Sequence, residues 1–179
     1  MLDKDIDIYS SDMLFKPNLF AIKKRKPIII IDNSILNNLS EQEIRFFIFH
    51  EYSHIKDNDS FKMHITSLGA FTIVPLFFFI VIPTISLPTN FLSIIPFIIM
   101  FVILYFTGII FSFKYKRSIE LKCDSYASNY VEKESIKNAF QKFIKLDIFN
   151  YKKREVLSSH PSLNERLNNL NVQIKKGGD

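Results

Sequence analysis

His50, Glu51 and His54 are the residues whose types and spacing point most directly to chemistry. Two histidines four apart share one face of a helix, so both imidazoles can reach one metal ion. A glutamate directly after the first histidine can lean toward a water on that ion. Zinc brings the pKa of such a water toward neutrality, and a nearby carboxylate can then accept its proton. The H-E-x-x-H spacing of His50-Glu51-Tyr52-Ser53-His54 therefore points to zinc-assisted hydrolysis. The plain competing reading is a surface helix that carries two histidines and a glutamate.

A catalytic zinc needs a third protein ligand and an open position. Glu120 is the best candidate, and Asp124 follows it by one helical turn on the same face. Glu120 is expected to bind the metal, one zinc per chain, while Asp124 hydrogen-bonds an imidazole from behind. By themselves these two are an acidic pair among lysines; the histidine motif gives them their meaning. His160, before Pro161, is expected near the metal as a partner for the oxyanion that forms when water attacks a peptide carbonyl. Arg166 is expected to serve similarly, or to hold an Asp or Glu in place. His64 reads as an interfacial residue and Cys123 as a small packing residue.

These groups must be carried by a chain of 179 residues, enough for one domain over 1–179. Its charge is distributed very unevenly. From Thr66 to Phe113 no Asp, Glu, Lys, Arg or His occurs, so all 18 acids and all 23 Lys and Arg residues lie outside that block. The block divides into two apolar segments, 66–83 and 91–113, with a turn at 84–90. Each is long enough to cross a hydrocarbon core of about 30 Å, the first only just. Pro75 is expected to kink the first span. Lys56 and Lys62 precede the block, and Lys114, Lys116 and Arg117 follow it. Positive flanks on both sides place both ends in the cytoplasm by the positive-inside rule. A multi-pass protein of the cytoplasmic membrane is expected, with its polar body facing the cytoplasm and the bilayer as a partner. A basic body beside an apolar insert also accounts for the net charge of +5. No nucleic-acid recognition motif accompanies that charge, so nucleic acid is not expected as a partner. One cysteine excludes an intrachain disulfide. The first twelve residues carry four Asp and no apolar run, so no cleavable signal peptide is expected.

The remaining elements can be read from local patterns. Residues 1–17 suggest a helical or irregular lead-in. Asn18–Ile22 and Pro27–Asp32 read as strands, the second buried on both faces, with Lys23–Lys26 as a solvated hairpin tip. Ser40-Glu41-Gln42-Glu43 has the form of a capping box and should start the helix that carries the histidines. Asp57, Asn58 and Asp59 should end or weaken it. Helix is expected again from Ser118, with an amphipathic basic stretch over 132–157. Ser162-Leu163-Asn164-Glu165 is a second capping box that opens a last helix after Pro161.

Taken together, three segments resemble the HtpX-like and CAAX-prenyl-endopeptidase family of integral-membrane zinc metallopeptidases. His50–Asp57 resembles its metal helix. Glu120-Leu121-Lys122-Cys123-Asp124 resembles the E-x-x-x-D segment that supplies its third ligand. Ser159-His160-Pro161-Ser162-Leu163-Asn164-Glu165-Arg166 resembles its C-terminal S/T-H-P-x-x-x-x-R segment. The resemblance implies an α+β, mainly helical gluzincin-type domain with a small edge sheet and an inserted two-helix transmembrane hairpin. It implies zinc held by His50, His54 and Glu120, with Glu51 as general base. It also implies that the edge near Asn18, Phe20 and Ala21 aligns a peptide or membrane-protein substrate as an added strand. Ser53 stands where the family often has Gly, and Cys123 where it commonly has Ala. The alternative function is a catalytically degenerate membrane module that acts as a regulator or an immunity or assembly factor.

Overall fold

The computed structural model describes residues 6–12, 18–23, 25–84, 94–145 and 160–172. Three strands are followed by helices throughout. The strands are β1 (Asp7–Ser11), β2 (Leu19–Ile22) and β3 (Ile28–Asp32), in the spatial order β1-β3-β2. β3 runs parallel to β1 and antiparallel to β2, with Phe20 opposite Ile30 and Ala21 opposite Ile29. The lead-in expected over 1–17 therefore contains a strand. β1 was hidden because its middle residues are solvent-exposed and carry no burial alternation. Lys26 fixes its start by an ion pair with Asp7 at 2.8 Å. β3 is central, but only Ile29 and Ile31 are fully buried; Ile28 and Ile30 are half-covered. One face of the strand packs on the core, not both.

Helix α1 (Asn33–Asn38) follows directly, with Asp32 as its cap. Helix α2 (Glu41–Asp57) starts where the capping box predicts: the Glu43 N–H donates to Ser40 Oγ, and the Ser40 N–H donates to Glu43 Oε2. Reciprocal bonding of two orphan N–H groups fixes the start of the helix. The buried face of α2 carries Phe46, Phe47, Phe49, Tyr52 and Ile55. It packs on α6 (Lys133–Lys145), whose Ile136, Ala139, Phe140 and Phe143 recur at helical spacing and are buried. Phe46 and Phe140 meet edge-to-face at 5.6 Å and Phe47 and Phe143 at 4.1 Å. Each such side chain contributes about 1.5–3 kcal/mol on burial. Of the basic stretch expected over 132–157, residues 146–157 lie outside the described residues.

α2 ends at Asn58, which takes the left-handed conformation with φ 56°. Asparagine tolerates that region better than most residues. A single left-handed residue redirects the chain, and α3 (Asp59–Leu68) starts at once. A π-helical turn, Gly69–Ile73, leads into α4 (Val74–Thr84). The turn stands just before Pro75, which cannot donate to the carbonyl of Phe71. The expected kink thus takes the form of a widened turn. Helix α5 (Ile95–Ala127) returns as one unbroken rod of 33 residues.

Among the described residues, Asp59–Ile80 and Ile95–Ala127 are long and apolar enough to cross a membrane. Their surfaces support that reading. Phe71, Phe77, Phe79, Ile98, Ile103, Phe106 and Phe111 are all exposed. A soluble protein does not present so continuous an apolar surface to water. The turn expected at 84–90 lies outside the described residues except for Thr84. The last helix, α7 (Leu163–Asn169), opens at the second capping box, with both reciprocal bonds present. The fold is therefore mainly helical with a small edge sheet, as the sequence predicts.

Candidate metal centre

α2 presents the two histidines and α5 brings Glu120 across to them. The seam between the helices is built from small buried residues: Ser53 on α2, and Cys123 and Ala127 on α5. Small side chains let the two helices approach closely. His50 Nε2 then lies 3.6 Å from Glu120 Oε2, and His54 Nε2 lies 3.6 Å from Glu120 Oε1. Donor atoms of all three residues fall within 4.8 Å of one another. Ligands of a tetrahedral zinc with bonds of about 2.0–2.1 Å stand roughly 3.3 Å apart. Two imidazole nitrogens and a carboxylate at this spacing fit zinc.

The atoms behind the histidines strengthen the fit. His50 Nδ1 stands 2.8 Å from Asp124 Oδ1. His54 Nδ1 stands 3.4 Å from Asp59 Oδ2. A carboxylate on each Nδ1 fixes the ring and its tautomer and turns Nε2 toward the centre. Asp124 is fully buried and Asp59 is 1% exposed. Asp124 was expected from sequence, whereas Asp59 was read only as a helix breaker. The signal for it was Asn58, since a left-handed asparagine folds the next residue back over the end of α2.

Glu51 lies beside this set, and its Oε2 accepts the Ala21 N–H at 2.8 Å. The edge of β2 that faces away from β3 is thereby docked against α2, next to the acid that follows His50. Phe20 and Ala21 are half-buried there. Asn18 is exposed at the start of the strand; its side chain accepts its neighbour's N–H, and its carbonyl accepts the Asp32 N–H. His160 Nδ1 lies 3.5 Å from Glu120 Oε2, and its ring is 73% exposed. It borders the ligand set from the open side, before α7.

Arg166 sits elsewhere. Its Nε donates to Asp124 Oδ2 at 2.7 Å and a terminal nitrogen donates to Oδ1, with the guanidinium 5.0 Å from the Phe140 ring centroid. It is buried behind Asp124. Of its two expected roles, the geometry fits the holder of a carboxylate and not an oxyanion donor. Replacing Arg166 by Ala leaves Asp124 buried without its cation. Loss of one partner of a buried pair costs about 3–5 kcal/mol. We expect a lowered thermal midpoint in detergent, with cleavage by the surviving folded protein reduced far less than in Glu51→Gln. An unchanged midpoint together with lost cleavage would return Arg166 to the reaction itself.

The electrostatics follow from burial and these partners. Desolvation pushes the Glu51 carboxyl up to about 7, with the charge on His50 opposing it. Burial works to lower His50, but the Asp124 hydrogen bond and the nearby Glu120 carboxylate overcome it and raise the ring to about 10. Burial and then His50 lower His54, which favours the neutral form a ligand needs. Burial works to raise Glu120, but the adjacent His160 and His50 rings hold it well below the usual carboxylate range. Burial pushes the Cys123 thiol up, so it stays a protonated packing group. Without metal, His50 therefore carries a proton at neutral pH, and a metal ion must displace it. Lower pH favours the protonated, metal-free side. Zinc titrations in buffers of different ionisation enthalpy should show release of about one proton at pH 7, and affinity should weaken as pH falls.

The fold and the site define a class: a metallopeptidase-type helix pair beside an edge strand, with an apolar hairpin inserted between the metal helix and the third carboxylate. Residues 3–174 match the model of peptidase family M48, and the chain belongs to that family. M48 peptidases are zinc metalloproteases. No match is found among the curated proteins. Among solved structures, the fold is similar to that of Ste24p from S. mikatae, with a TM-score of 0.62 and 21% identity. That match covers 94% of this chain and 45% of Ste24p, so the chain spans about half the length of the protein it matches.

Proposed function

We propose that this chain is a zinc-dependent, membrane-associated endopeptidase acting on membrane or membrane-proximal proteins or peptides. The observation that carries the reading is the convergence of His50 Nε2, His54 Nε2 and Glu120 at 3.6 Å, with a buried carboxylate behind each ring. His50, His54 and Glu120 would hold the zinc, which when bound would polarise the scissile carbonyl and acidify the attacking water. Glu51 is placed to take a proton from water and deliver it to the leaving amine. Its raised pKa suits a group that must both accept and release a proton near neutrality. Asp124 and Asp59 hold the rings, and Arg166 holds Asp124. His160, on the open side of Glu120, donates to the developing oxyanion.

The outer edge of β2, around Asn18, Phe20 and Ala21, aligns the substrate as an extended strand, for which the Ala21 N–H exchanges Glu51 for a substrate carbonyl. Membrane anchorage is supported by the exposed apolar faces of α4 and α5. The positive flanks at Lys56, Lys62, Lys114, Lys116 and Arg117 support a multi-pass hairpin in the cytoplasmic membrane, with the catalytic body on the cytoplasmic side. The described helices, sheet and hairpin share one site, which supports a single domain over 1–179. Glu120 follows Phe113, the last residue of the uncharged block, on the same helix by about 10 Å. The site therefore lies close to the bilayer surface, where membrane-bound substrates are concentrated. Comparing membrane proteomes of cells that carry the wild type or Glu51→Gln tests the reading. Full-length substrates should accumulate in the variant, whereas identical proteomes would count against a protein substrate in that membrane.

A further inference from the structure

A cleft of about 270 Å³ opens between α3 and α5, lined by Met63, His64, Ser67, Lys116, Glu120 and His160. It shares Glu120 with the metal triad, so it opens onto the reacting centre. It also lies at a fixed depth. Ser67 stands at the start of the uncharged block and Lys116 just past its end, so the cleft sits at the boundary between water and the apolar hairpin.

Half-burial separates Lys116 from Lys114, which is exposed on the same helix. Lys62, Arg117 and Lys122 are paired with Asp59, Glu165 and Asp57. Lys116 lines the cleft half-buried and has no acid partner among the described residues. His64 Nδ1 donates to the Ser60 carbonyl at 2.6 Å, so Nε2 of the neutral ring faces outward as an acceptor suited to a peptide N–H. The acid in the lining, Glu120, is engaged by His50 and His160 and is a proposed metal ligand. A half-buried ammonium without a carboxylate partner favours an anionic group.

We propose that this cleft is a substrate subsite in which Lys116 receives an acidic side chain adjoining the scissile bond. The inference rests on the peptidase reading above. The cleft is slightly smaller than the pockets of about 300–1,000 Å³ that take whole small molecules. It suits one side chain, with Met63 beside the methylene stem. A phospholipid phosphate offers similar chemistry. Seated here, it would lie over the ligand set and obstruct the peptide, so a group already attached to the substrate is the better occupant.

The test uses the full-length, zinc-loaded protein in neutral detergent. The probes are mixture-based peptide libraries in which one position at a time is fixed as Glu, Ala or Lys. At one position beside the cleavage site, the wild type should prefer Glu to Lys by about tenfold in kcat/KM, as expected for a charged hydrogen bond. Lys116→Glu should reverse that order and Lys116→Gln should flatten it, each read as the Glu-to-Lys ratio within a single variant. An unchanged Glu-to-Lys ratio in Lys116→Glu would overturn the subsite and leave the peptidase reading intact. A Lys116 effect that appears only in anionic-lipid vesicles, and equally for every library, would assign the cleft to lipid headgroups and also overturn it. Failure of zinc-loaded wild type to cleave any library would overturn the subsite together with the peptidase reading beneath it.

Discussion

Glu51→Gln should reduce peptide cleavage by about a hundredfold to ten-thousandfold, the range for removal of a positioned general base. The variant should still bind one zinc. Glutamine keeps the size of the side chain and can still accept the Ala21 N–H through its amide oxygen, so the docking of β2 on α2 should survive. What it loses is the capacity to take a proton. The combination of retained metal, retained fold and lost turnover separates a base from a ligand. Cleavage at the wild-type rate would remove Glu51 from the mechanism.

Glu120→Ala should abolish metal binding. Glu120 presents one oxygen 3.6 Å from each histidine Nε2, and no other carboxylate among the described residues joins those two nitrogens in a metal-binding group. Two imidazoles alone are a weak zinc site, because structural and catalytic sites use three or four protein ligands. The same substitution removes the acceptor for His50 and His160, so a modest drop in stability should accompany the loss. Metal analysis of the purified variant should give no zinc where the wild type gives one per chain. Full retention of zinc in Glu120→Ala would mean that another residue completes the site.

Most of this site was legible in the sequence because its logic is local. The i, i+4 spacing places His50 and His54 on one face, and two capping boxes mark the starts of α2 and α7. The 48 residues without charge mark the hairpin, and helix continuity carries Glu120 and Asp124 out of it on a shared face. What stayed hidden depends on tertiary placement. β1 is an exposed strand held by parallel pairing to a segment some twenty residues away, and neither property leaves a pattern in its own residues. Asp59 lies five residues past His54, off the helical register; only the left-handed Asn58 folds it back onto the ring. Arg166 could be placed one turn into α7, but its partner, Asp124, is set by how α7 docks on α5.

In the proposed mechanism, peptide cleavage depends on a metal held by His50, His54 and Glu120. The most direct measurement follows hydrolysis of an unfolded protein such as casein by purified wild type through removal and return of zinc. A chelator should abolish cleavage, and about one equivalent of zinc per chain should restore it in the wild type but not in Glu120→Ala. Cleavage that persists after all metal is removed, or a zinc-loaded protein that cuts nothing, would contradict that mechanism.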